Sequence, residues 1–176
     1  ILMASIDHNF SESTKGKATF FHGDYDKSYQ NFYASGYNEA SAPNEVTLDG
    51  YVDTTQRENT VLSGNLVNES TLGGMQHRFL AGAEFVKTRS DQDRWNTFWS
   101  ATGDDKETFF VDRPLQVLGG IGVNSSGAPT TNDFYVDLND DTQVSIDVYS
   151  AFIQDEISIT EKFDFVLGAR FDHFAI

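Results

Sequence analysis

The sequence predicts an all-β chain, an antiparallel up-and-down transmembrane β-barrel segment of about six long strands. Three observations carry that expectation. Apolar and polar residues alternate with a period of two over long runs. Helical periodicity is absent from most of the chain. The polar segments between the runs are alternately short and long, as where a membrane barrel has tight turns at one end and extended loops at the other.

Residues 1–10 form a short, ambiguous run, closed by a polar turn at 11–16. In residues 17–33 Thr19, Phe21, Tyr25, Tyr29 and Tyr33 share one parity, with His22, Asp24, Asp26, Ser28 and Gln30 on the other. Tyr25, Tyr29, Phe32, Tyr33 and Tyr37 are expected to form an outer interfacial girdle. Residues 34–45 have loop chemistry. The run 46–67 sets Leu48, Val52, Leu62, Gly64 and Leu66 against Asp49, Asp53, Arg57, Asn59 and Asn65, and NESTLGG (68–74) is a turn. Across 76–88, His77, Phe79, Ala81, Ala83 and Phe85 oppose Arg78, Gly82 and Glu84. A long loop is expected over about residues 89–143, and loops of that length are usually functional. Runs 144–159 and 163–174 make a final hairpin about Thr160, Glu161 and Lys162. There Phe163, Phe165, Leu167, Ala169 and Phe171 oppose Asp164, Gly168, Arg170 and Asp172.

Composition narrows the function. A formal net charge of −15 argues against nucleic-acid binding, which needs a basic footprint. Aromatic content of 14% separates the chain from acidic disordered segments. Cysteine is absent, so disulfides and thiol chemistry are excluded. No apolar run reaches the ~18 residues of a transmembrane helix. Residues 1–10 lack the basic and apolar regions of a signal peptide, and the pattern at both ends reads as cut from the interior of a longer polypeptide.

No nucleophile elbow, HExxH or Walker A motif is present, and no catalytic residue or enzyme activity is assigned. GGIGVNSSG (119–127) lacks the lysine and the strand–helix context of a phosphate loop. DLNDDT (137–142) begins like a calcium loop, but Thr142 stands where glycine is required and Val148 where glutamate is, so no metal site is assigned. The histidines His8, His22, His77 and His173 have no ligand spacing; His77 and His173 fall on the apolar parity near strand ends.

The stretch AFIQDEISITEKFDFVLGARFD resembles a hairpin of TonB-dependent outer-membrane receptors of the ferric-siderophore group. Phe152, Gln154, Asp155, Gly168, Arg170 and Asp172 stand at its matching positions. YVDTTQREN (51–59), HRFLAGAEF (77–85) and Arg113–Pro114 extend the likeness over almost the whole chain. The resemblance implies an interior piece, residues 1–176, of a plugged barrel without its plug domain or final strands. It implies a Gram-negative outer membrane, partnership with the TonB complex through the plug, contact with outer-membrane lipid and lipopolysaccharide, a ferric siderophore as ligand and no cofactor. It also implies that Asp24, Asp26, Arg57, Arg78, Glu84, Arg170 and Asp172 face the lumen, because hydrocarbon does not tolerate unpaired charge.

Within the long loop, residues 94–114 hold five of the seven aromatics of 89–142. Arg94, Trp95, Phe98, Trp99, Phe109 and Arg113 are the candidate ligand-binding residues, suited to a planar anion by stacking and cation–π contact. The competing expectation is that these rings fold inward as a local core. Two alternatives to the importer are a soluble acidic β-sandwich (a calcium-dependent adhesin or carbohydrate binder) and a passive porin.

Overall fold

The computed structural model describes residues 1–112, 119 and 121–176. All regular structure among them is strand: β1 (Leu2–Asn9), β2 (Thr14–Asn38), β3 (Glu45–Leu72), β4 (Met75–Trp99), β5 (Glu107–Phe110), β6 (Ile121–Val123), β7 (Pro129–Thr160) and β8 (Phe163–Ala175). The sheet runs β1-β2-β3-β4-β7-β6, with β8 on β7 and β5 on β3. Six of these strands are the expected ones, and β1 resolves the ambiguous first run.

The expected loop over 89–143 is corrected. β4 continues to Trp99 and β7 begins at Pro129, so much of that segment is strand, and β5 and β6 are two further short strands. The misreading has a physical cause: in NDFYVDLNDDTQ (132–143) the alternation of Phe134, Val136 and Leu138 is short. The acidic and amide residues that follow it to Gln143 occupy both parities, so the period of two breaks before it resumes at Val144.

Two compact units result. The first comprises Ile1–Tyr25, Arg57–Ser90 and Val144–Ile176; the second comprises Asp26–Gln56 and Asp91–Gln143. The tight β1–β2, β3–β4 and β7–β8 connections belong to the first unit, and the longer connections to the second.

The β3–β4 turn is Gly73–Gly74, with φ of 58° and 82°. Positive φ at both central positions suits the right-handed twist of a hairpin, and only glycine takes it freely. Gly74→Ala is expected to cost about 1–2 kcal/mol through left-handed strain, read as a lowered midpoint in a urea titration.

The first unit is a single layer with two unlike faces. On one, Gly16 lies under the Leu66 side chain, the Phe85 and Tyr149 rings are 5.0 Å apart, and His77 Nδ1 bonds Asp155 Oδ2 at 2.8 Å. Ala151 pairs with Phe171, Ile153 with Ala169 and Ile157 with Phe165 on the same face. The opposite face carries Arg170 Nη2 at 3.6 Å from Glu84, Arg170 Nε at 2.9 Å from Asp172, Arg78 at 3.8 Å from Glu69, and Arg57 bonded to Ser90. The register moves Asp24 off this charged face. His22 bonds Thr60, on the parity of Leu62 and Leu66, and Asp24 pairs with His22 at 3.5 Å. Asp26 belongs to the second unit and is exposed.

All four buried hydrophobic side chains among the described residues, Val52, Trp99, Phe109 and Phe134, belong to the second unit. The first unit therefore has apolar surface but no buried apolar core. Two pairs bracket its apolar face: His77–Asp155 at 2.8 Å and Lys87–Asp147 at 4.0 Å. The pairs stand ten residues apart on β4 and eight apart on β7, roughly 26–33 Å of strand, or about 20–25 Å of height at a tilt of ~40°.

A candidate ligand site in the second unit

The second unit starts from a knot of rings. Trp99 and Phe109 lie 5.1 Å apart, Phe32 and Trp99 6.1 Å, and Phe32 and Phe134 5.2 Å. Trp99, Phe109 and Phe134 are each 1% exposed. Trp99 and Phe109 are thus corrected from ligand-binding residues to core, whereas Phe32, 40% exposed, packs one face on Trp99 and Phe134 at the rim of that core. β5 delivers Phe109 by pairing its residues 107–110 with 45–48 of β3. Buried Asp49 accepts bonds from Tyr33 O–H at 2.8 Å and the Gly50 N–H at 2.7 Å, and Lys106 stands 3.6 Å away.

Beside this core the strands build a clamp. Arg94 donates from Nε to Asp53 Oδ1 at 2.6 Å and from Nη2 to Asp53 Oδ2 at 2.7 Å, and its guanidinium lies 4.5 Å from the Tyr51 ring centre. Tyr51 in turn meets Tyr29 at 6.1 Å and Tyr33 at 6.3 Å. Two parallel bonds to one carboxylate fix the guanidinium plane. Arg94 hydrogen bonding holds the Asp53 carboxyl below its ordinary range, and the Arg94 pKa is raised for the same reason.

A group with a depressed pKa stabilises fully above its unfolded value and loses that contribution as pH falls through the folded one. Arg94→Gln is therefore expected to cost about 0.5–1 kcal/mol at neutral pH, within the range for a half-exposed pair. The difference from the parent protein should vanish once acid protonates Asp53, below its ordinary ~3.9. Paired denaturant titrations at neutral and acid pH check this.

The clamp forms one wall of a cavity of about 570 Å³, lined also by Lys27, Tyr29, Gln92, Asp93, Asn139 and Asp140. The size is ordinary for a small-ligand site. At its edge the carboxylates of Asp91, Asp93 and Asp141 come within 4.8 Å of one another, a spacing that a divalent cation could bridge and that exposed acids also adopt without one. Burial, then the charges of Asp141, Asp91 and Asp140, pushes the Asp93 carboxyl above its ordinary range. Of the calcium-like stretch 137–142, Asp141 joins this group, whereas Asp137 accepts a bond from Asn96 at 3.4 Å.

Of the sequence-predicted ligand residues among the described ones, only Arg94 lines the cavity. Trp95 sits 5.8 Å from Tyr135, Phe98 is half-buried on the same strand, and Arg113 lies outside the described residues. Sequence reasoning missed Asp53, Lys27, Tyr29, Gln92, Asp93, Asn139 and Asp140 as site residues. For Asp53 the signal was available: it stands twenty residues before Gly73, as Arg94 stands twenty after Gly74, so a two-residue turn places them opposite.

A sheet with a charged face, an apolar face and long strands is the architecture of a membrane-spanning β-barrel wall. Residues 2–176 match the family described as TonB-dependent receptor-like, β-barrel, and the chain belongs to that family. It is thus part of a Gram-negative outer-membrane barrel, from a family of receptors and transporters and not of enzymes. No curated protein matches the chain. Among solved structures, the outer membrane transporter YddB from Escherichia coli is similar at 13% identity and a TM-score of 0.43, covering 98% of this chain. This chain spans 26% of the length of that transporter.

Proposed function

We propose that the chain forms wall and mouth of an importer that takes up a ferric siderophore across the outer membrane, energised by TonB. The observation that carries the reading is the coreless first unit. Its apolar face has no second layer over it among the described residues, and its height of about 20–25 Å is close to that of a barrel's lipid-facing band. In this reading acyl chains and lipopolysaccharide cover that face, and Arg57, Arg78, Glu84, Arg170 and Asp172 look into the lumen. Arg78, Glu84, Arg170 and Asp172 are each matched there by an opposite charge on the same face, and Arg57 donates to the Ser90 hydroxyl. The long connections are in this reading the extracellular loops, and the cavity of the second unit takes the ligand. TonB engages through a plug domain, and the protein binds, changes shape and releases without covalent chemistry.

Radiolabelled iron uptake tests this in cells whose only receptor of the class is the full-length protein. Uptake of a supplied ferric siderophore is expected, with loss of it when either the receptor or TonB is deleted. Uptake that survives deletion of TonB would make the protein a passive porin.

A further inference from the structure

Resting on that importer reading, we infer that the cavity of the second unit selects an electroneutral or cationic ferric complex, of the trihydroxamate type, over a tricatecholate trianion. The argument is one of charge and donor type. Two cations, Lys27 and Arg94, and three carboxylates, Asp53, Asp93 and Asp140, line the cavity. Arg94 and Asp53 neutralise each other through bonds of 2.6 and 2.7 Å, and the guanidinium lies over the Tyr51 ring. Neither is a free charge for a ligand. Lys27 is then the remaining ammonium against Asp93 and Asp140, with Asp91 and Asp141 within 4.8 Å of Asp93. The free charge of this wall is one positive against four negative. Burial first, and then the charges of Asp141, Asp91 and Asp140, raise the Asp93 carboxyl.

Iron(III) bound by three hydroxamates carries no net charge, because each deprotonated hydroxamate supplies one negative charge. Bound by three catecholates it keeps three. Like charge at a partly desolvated wall repels strongly and rejects the wrong partner. The neutral complex meets no such field, and its carbonyl and amide periphery suits the remaining lining. Asn139 offers an amide, Thr54 and Thr55 hydroxyls, and Tyr29 an aromatic face.

Equilibrium dialysis of the detergent-solubilised full-length receptor tests this with two radiolabelled iron(III) probes, a hexadentate trihydroxamate and a hexadentate tricatecholate. The trihydroxamate is expected to bind at least about tenfold more tightly at low salt, and the gap is expected to shrink as salt rises. The double variant Asp93→Asn, Asp140→Asn should bring the two affinities together by strengthening the trianion. Equal or tighter binding of the tricatecholate by the parent protein overturns the inference and leaves the importer standing. An unchanged ratio in the double variant overturns the assignment to this cavity. If neither probe binds to folded receptor, the siderophore reading falls and the inference with it.

Discussion

Replacing Trp99 with alanine is expected to destabilise the second unit by about 3–5 kcal/mol, the cost of truncating a large aromatic in a closed core. The ring is 1% exposed, between Phe32 and Phe109. Its Nε1–H donates to the Asp105 carbonyl at 3.1 Å, its backbone N–H donates to the Asp104 carbonyl at 2.9 Å, and its carbonyl accepts from the Gly103 N–H at 2.8 Å. One side chain thus ties the end of β4 to the following turn and to β5. Truncation opens a cavity among the rings and leaves the Asp105 carbonyl without its donor. Amide hydrogen exchange should rise through residues 100–110 while β8 stays protected, and Trp99→Phe should recover most of the packing but not the hydrogen bond. If Trp99→Ala abolished ligand binding with exchange unchanged, the ring would return to the role of ligand contact that its sequence context suggested.

That error shows where the sequence stops being legible. Exposed and buried tryptophans in a polar segment look alike, because burial of Trp99 depends on β5 returning to β3, a contact between residues some sixty positions apart. No local period encodes it. The wall of the first unit was legible for the opposite reason. Ala81, Ala83 and Phe85 against Arg78 and Glu84 repeat every second residue, and Gly73–Gly74 fixes the register that brings Glu69 to Arg78 and Asn59 to Thr88. β2 lies between these cases. Both of its parities carry aromatics, so Phe21 and Tyr25 drew attention away from Ala18 and Phe20. Only pairing with β3, through His22 and Thr60, shows that Asp24 shares the face of Leu62. The cavity was visible only in part, since its walls come from four strands, β2, β3, β4 and β7, and its charge balance from pairs that no single stretch contains.

Phe171→Arg puts the lipid-facing reading to its most direct test, with an expected loss of about 2–4 kcal/mol for the folded receptor in phospholipid vesicles. Phe171 pairs with Ala151, midway between Leu167, which pairs with Asp155, and Ala175, which pairs with Asp147. It therefore stands near the centre of the band that the two ion pairs bracket. The side chain is 68% exposed, so in a water-soluble sheet the same replacement would cost less than about 0.5 kcal/mol. In hydrocarbon the guanidinium has no solvating partner and must snorkel several residues to reach the interface. Val166→Arg is the control. Val166 is also exposed but lies on the opposite parity, paired with Glu156, which offers a counter-charge. A urea titration that finds the two variants equally stable would mean that water and not lipid covers the face of Phe171. A cost confined to Phe171→Arg would instead tie the phenylalanines of β8 to the bilayer, since exposure alone does not distinguish the two positions.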